Sequence, residues 1–254
     1  GDHRDLHLSI RRQRQMCIRD SYCEKARWAL DMAAVDYQEE GHAPLFHWLF
    51  VLPRTRTKTV PVLIVEGRSP LTESSDIMRY ASAFLPHENS LFPERSRAQV
   101  DALVERFDRQ LGPATRRLGY CYVAKNPALF GEFIATLPRV ERAIVAKSER
   151  VMRAILGRAF KVSDGARDRT RAKVLAEFAF VEERLAAGAY LVGDTFTAAD
   201  LTFAALAAPI LQPGIDIQAL RARDAGFADL VAGLRATTAG EFALRVIRDH
   251  RPIR

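Results

Sequence analysis

Thr59-Val60-Pro61-Val62-Leu63-Ile64-Val65-Glu66-Gly67-Arg68-Ser69-Pro70-Leu71-Thr72-Glu73-Ser74-Ser75-Asp76-Ile77 decides the architecture of this chain. Val60–Val65 is a compact apolar run suited to a buried strand, with Pro61 near its start, where a missing N–H does least harm. Glu66-Gly67-Arg68 makes a turn, and Ser69–Leu71 can return as a short second strand. Thr72–Asp76 then opens a helix. Its apolar face is Ile77, Tyr80, Ala81 and Phe84, at i, i+3, i+4 and i+7.

Upstream, Cys23–Ala34 is rich in helix formers, with Ala26, Ala29, Leu30 and Ala33 on one stripe. Val35–Glu40 reads as a strand that Gly41 stops. His42–Thr59 is irregular, with a short helix expected around Leu45–Leu52 and then a loop. Helix, strand, hairpin and helix make a small α/β layer over residues 22–85. Residues 86–95 read as a linker by composition. Residues 96–254 read as helix throughout, with stripes such as Val100, Leu103, Val104, Phe107 and Leu111. Thr197-Ala198-Ala199-Asp200 has the layout of a capping box before Leu201.

The 254 residues are 48% hydrophobic and 27% charged, the balance of a folded globular chain. No apolar run reaches the length of a membrane span. Three cysteines are too few for a disulfide framework and point to a reducing, cytoplasmic compartment. The net charge of +7 invites nucleic acid or anionic lipid as a partner. Residues 1–21, with five arginines and three aspartates, account for +2 of it, and the other +5 reads as scattered among alternating acids and bases.

Those 21 residues stand apart. They have no apolar core of a signal peptide. Arg11-Arg12-Gln13-Arg14-Gln15-Met16-Cys17-Ile18-Arg19-Asp20-Ser21 resembles a translated sequencing adapter. Residues 1–21 are therefore read as an artefactual leader that has replaced the first strand. A disordered basic arm and a nucleic-acid or lipid tether are the rival readings. Leu6–Ile10 alternates and could mimic a strand, but the gap from Ile10 to Ser21 exceeds the usual βα loop.

Three segments resemble the glutathione S-transferase superfamily: Tyr22–Leu30, Thr59–Leu63 with Leu71–Ile77, and Tyr190–Asp200. Their order and spacing carry the resemblance from residue 22 to about residue 250. It implies an α/β thioredoxin-like N-terminal domain followed by an all-α helical C-terminal domain, usually in a homodimer. It also implies that glutathione is a co-substrate whose thiolate attacks a small-molecule electrophile. On this reading a cis Val60-Pro61 bond presents the Val60 backbone to the cysteinyl part of glutathione. Glu73 and Ser74, at a helix N-terminus, hold its γ-glutamyl end, and Lys58 binds the glycyl carboxylate. Taken alone, Val60-Pro61 also fits an ordinary strand start, Thr72–Asp76 simple capping, and Lys58 a solvated loop charge.

The activating Ser or Cys implied by the resemblance falls on Asp20, inside the leader. A carboxylate there would raise a thiol pKa rather than lower it, so the catalytic residue is unassigned, with Ser21 one place late. Arg116, Arg117, Tyr120 and Tyr122 are candidates for the second-substrate pocket, although packing alone explains such aromatic residues. His42 and His47 lack further ligands, so no metal is expected. Two rival functions remain. One is a glutathione-dependent thiol–disulfide reductase using Cys23, and the other a non-catalytic glutathione-binding module. Neither nucleic acid nor membrane is an expected partner.

Overall fold

The computed structural model describes residues 14–17, 21–42, 47–135 and 137–252. The N-terminal part runs β1 (Arg14–Cys17), α1 (Ser21–Met32), β2 (Gln38–Gly41), α2 (His47–Thr55), β3 (Val62–Ile64) and α3 (Ser74–Ser82). The sheet order is β2-β1-β3. β1 pairs parallel to β2 with Arg14 opposite Gln38, and antiparallel to β3 with Arg14 opposite Ile64. Leu63 and Leu71 exchange main-chain hydrogen bonds of 2.9 Å in an isolated bridge, so the return strand shrinks to one pair. Gly67 turns the chain between them at φ +78, a conformation that favours glycine.

Two sequence expectations are corrected here. The first strand is not lost: Arg14–Cys17, inside the stretch read as a leader, is the central strand of the sheet. The ladder is made by main-chain N–H and C=O groups, which every residue but proline supplies, so an odd composition does not forbid it. The alternating Leu6–Ile10 lies outside the described residues. The second strand starts three residues later than Val35. Val35 instead closes α1: its N–H donates to the Leu30 carbonyl at 3.0 Å, its side chain is buried, and Ala34 takes a left-handed turn at φ 49.

The C-terminal part is helical: α4 (Arg97–Arg109), α5 (Leu111–Val123), α6 (Pro127–Ala135), α7 (Arg139–Lys147), α8 (Glu149–Ala159), α9 (Asp164–Leu185), α10 (Ala198–Leu211), α11 (Ile217–Arg223), α12 (Ala225–Arg235) and α13 (Thr238–His250). α10 is apolar all round and buried nearly all round, which makes it the central helix. One core cluster continues from Ala26 and Leu30 of α1 through Ile77 of α3 to Phe107, Phe203 and Val246. The stretch read as a linker belongs to that core. Leu91 and Phe92 are buried, and the Leu91 carbonyl accepts from Ala198 N at 2.8 Å. Among the described residues, no helix is long and apolar enough to cross a membrane.

The capping box at the head of α10 forms. Asp200 Oδ1 accepts from Leu191 N, and Oδ2 accepts from Thr197 N and Thr197 Oγ1, each at 2.8 Å. Asp200 is wholly buried, and burial pushes its carboxyl up to about 6 against the pull of those donors. We expect Asp200→Ala to cost on the order of 2–4 kcal/mol at pH 5, since three buried donors lose their acceptor. A carboxyl raised in the folded state binds its proton more tightly than in the unfolded chain. Its contribution is therefore fullest near pH 4 and falls as pH rises through about 6. Urea denaturation of both proteins from pH 4 to pH 7 should show the gap between them narrowing.

Candidate functional site

α1 is the element around which a site is built, because it is gripped from both sides. Lys25 is fully buried, and its ammonium donates to Asp108 Oδ1 and Oδ2 at 2.7 Å and to Ser75 Oγ at 3.0 Å. Ser75 Oγ also donates to Asp108 Oδ2 at 2.8 Å. Burial pulls the Lys25 ammonium below its usual range, with Asp108 acting against the shift. One residue triad thus ties α1 to α3 and α4. Beside it Tyr22 OH donates to the Asp108 carbonyl at 2.6 Å, under the Arg116 guanidinium 4.9 Å from the ring centroid. A Cβ at Gly112 would lie 2.3 Å from Tyr22 Oη, so a larger residue there must displace the Tyr22 ring.

The opposite face of α1 carries Glu24, Arg27 and Asp31. Arg27 bonds Glu24 at 2.9 Å and Glu39 of β2 at 2.5 Å. Arg251, just past α13, reaches Glu24 at 2.7 Å and the buried Asp31 at 2.8 Å. Burial would lower the Arg251 pKa, but Glu24 and Asp31 outweigh it and hold the group above its usual value. Trp28 Nε1 donates to the His250 carbonyl at 2.9 Å, which pins the same late segment.

Between this face and the helical domain lies a cavity of about 880 Å³. Ser21, the first residue of α1, is on its wall with Glu24, Arg27 and Asp31; Arg116 and Tyr120 of α5, Phe133 of α6 and Gln212 after α10 complete much of the lining. Of the four residues expected at a second-substrate pocket, Arg116 and Tyr120 line it. Tyr122 instead stacks on Phe227 at 4.7 Å, and Arg117 donates to the Lys161 carbonyl at 3.3 Å. The polar stripe of α1 was missed by sequence reasoning. Its signal was present as Glu24, Arg27 and Asp31 at three- and four-residue spacing, overshadowed by the alanine stripe.

The residues expected to hold glutathione fall on two elements. The Val60-Pro61 bond is cis, Pro61 is buried, and Val60 makes no main-chain hydrogen bond among the described residues. Glu73 is the N-cap of α3, exposed and without a side-chain capping bond, and Ser74 is buried at the first helical position. Those amides and the helix dipole favour an anion. Lys58 is exposed, and its ammonium sits 5.1 Å from the Trp48 ring centroid. Asp20 lies outside the described residues. Cys23 and Cys121 are free and buried; burial pushes the Cys121 thiol up. His42 bonds Glu141 and His47 bonds the Lys58 carbonyl, each at 3.0 Å. No cluster of three metal-ligating side chains occurs among the described residues.

Lys25→Met is expected to cost about 3–5 kcal/mol, the range for removing one member of a buried pair. The double replacement Lys25→Met with Asp108→Asn should cost less than the two singles together. A double-mutant cycle from urea unfolding measures that coupling.

The glutathione S-transferase N-terminal domain model matches residues 19–84, and the C-terminal domain model matches residues 147–225. Among solved structures the chain is similar to β-etherase LigF from Sphingobium sp. strain SYK-6, with TM-score 0.60 and 18% identity over 92% of this chain and 98% of that one. It is similar to a glutathione S-transferase-I bound with lactoylglutathione, with TM-score 0.56 and 18% identity over 92% and 99%. A glutathione S-transferase from Methylobacterium radiotolerans JCM 2831, in complex with glutathione sulfonate, gives 0.51 and 19% over 96% of each chain. Identities this low show a shared fold. No curated protein sequence matches the chain.

Proposed function

Because the chain belongs to the glutathione S-transferase superfamily, we propose that it binds glutathione and transfers its thiolate to a small electrophile held in the cavity beside α1. The observation that carries this reading is the position of Ser21. It is the first residue of α1, it is buried, and it lies on the wall of a cavity that both domains line. A hydroxyl there, backed by the dipole of α1, stabilises a thiolate where the electrophile arrives.

In this reading the Val60 backbone pairs with the cysteinyl part of glutathione as an added strand would. The first turn of α3 takes the γ-glutamyl carboxylate, Ser74 adds its hydroxyl, and Glu73 faces the ammonium. The glycyl carboxylate falls to Lys58, with Trp48 competing for its charge. Arg116 and Tyr120 shape the electrophile's place. A homodimer in solution is part of the same proposal. The thiol–disulfide alternative draws no support, because the Cys23 thiol it needs is fully buried in α1.

Calorimetric titration with glutathione tests the binding half. Glu73→Gln and Ser74→Ala are each expected to weaken affinity about tenfold, the worth of one hydrogen bond to a charged group. Failure of the unmodified chain to bind glutathione would remove the reading altogether.

Ser21→Ala tests the chemical half. Conjugation to an aryl halide should slow about a hundredfold in kcat, while glutathione affinity stays within about twofold. The thiolate absorbance of bound glutathione should appear at higher pH in this variant. Binding with no thiolate at any pH in the unmodified chain would instead favour a non-catalytic module.

A further inference from the structure

The basic excess of this protein is concentrated on two consecutive short helices. Residues 139–161, which cover α7, α8 and the turn after them, hold seven lysines and arginines against two acids. Both acids are occupied: Glu141 bonds His42 at 3.0 Å, and Glu149 bonds Arg153 at 3.2 Å. Arg142 and Arg153 donate to the main-chain carbonyls of Ala135 and Ala124. Arg139, Lys147, Arg150, Arg158 and Lys161 are exposed, and none forms an ion pair among the described residues.

The same two helices expose aliphatic surface. Val140 and Ile144 on α7 are 73% and 48% exposed, and Val151 and Ile155 on α8 are 60% and 38% exposed. Each pair is spaced i, i+4, while Val145 and Leu156 turn inward to a small core cluster. Single exposed aliphatic residues are ordinary, but an exposed i, i+4 pair on each of two consecutive helices is not.

α2 adds to this surface. His42 stacks on Phe50 with ring centroids 3.9 Å apart while bonding Glu141, so α2 comes up beside the first turn of α7. Trp48, Leu49 and Phe50 are exposed there. Arg54, Arg56 and Lys58 follow, exposed, and no acid occurs from residue 47 to residue 58.

We infer that α2, α7 and α8 form a docking face for an anionic lipid surface. The aliphatic ridges and Trp48 enter the headgroup region, and the unpaired cations meet lipid phosphates and carboxylates. Helices of 9 and 11 residues are too short to span a bilayer, so the contact lies in its plane. A second copy of the chain across a two-fold axis would set these cations against one another. A nucleic acid would leave the aliphatic ridges without a partner. An anionic lipid interface matches both halves of the face, and the inference does not depend on the glutathione chemistry.

The full chain is sedimented with phosphatidylcholine vesicles prepared with or without phosphatidylserine. Binding is expected to require phosphatidylserine, to weaken at high salt, and to shift Trp48 emission to the blue, Trp28 being buried already. Replacing Arg150 and Arg158 by Glu, or Ile144 and Ile155 by Ser, should each lower partitioning about tenfold at unchanged helix content. No binding to either vesicle, or binding that neither pair affects, overturns the inference. So does tighter binding of DNA or RNA than of vesicles. An Ile144→Ser/Ile155→Ser variant that loses self-association but keeps vesicle binding would make the face an interface between copies, and overturns it too.

Discussion

The buried ammonium of Lys25 is the constraint on which the arrangement of this protein rests. Its three acceptors come from two other helices, with Asp108 on α4 and Ser75 on α3. An ion pair taken out of water gains little net stability, since desolvation consumes most of the attraction. It does discriminate, because every other placing of α1 leaves a charge buried without a partner. The triad therefore fixes the rotation and height of α1 against both domains, and Tyr22, packed over Gly112 and bonded to the Asp108 carbonyl, adds a second tie.

With its rotation fixed, α1 presents three different faces. Ala26, Ala29 and Leu30 enter the common core, Lys25 faces the triad, and Glu24, Arg27 and Asp31 border the cavity. The polar border is itself neutralised internally by Arg27 and Arg251. The helix end that carries Ser21 is thereby held at the cavity wall by interactions made about one turn away, at Glu24 and Lys25, and nearly three turns away, at Asp31. Rigid support of this kind is what a reacting group at a helix terminus requires.

The sequence was most legible where local chemistry and tertiary packing agree. The i, i+3, i+4, i+7 face of α3 and the Thr197–Asp200 box depend on neighbours within one or two turns, and both elements are present. Legibility failed where long-range geometry decides. A central strand made by main-chain pairing carries no side-chain signature, so Arg14–Cys17 gave no sign of one. Val35 has the residue type of a strand but serves a helix end. Leu91 and Phe92 sit among prolines and polar residues, and only the tertiary contact with α10 shows them to be core. The excess of cations over residues 139–161 is countable in the sequence, whereas the pairing of Glu141 with His42, a partner outside that segment, shows only in the fold. At the candidate site, the helix start that places Glu73 and Ser74 was legible from the sequence, whereas the polar stripe of α1 acquires meaning only once Arg251 is beside it.

The clasp of His250 and Arg251 on α1 has a consequence for biogenesis. Its hydrogen bonds join residues 222 and 227 positions apart, the widest separations among the side-chain bonds of α1. Local pairings form quickly, and those that close long loops come late. During synthesis α1 leaves the ribosome well ahead of Arg251, and until that residue follows Glu24 and Asp31 lack its guanidinium. Completion of the cavity wall is thus tied to the arrival of Arg251, which lines the cavity together with the two acids it pairs, Glu24 and Asp31.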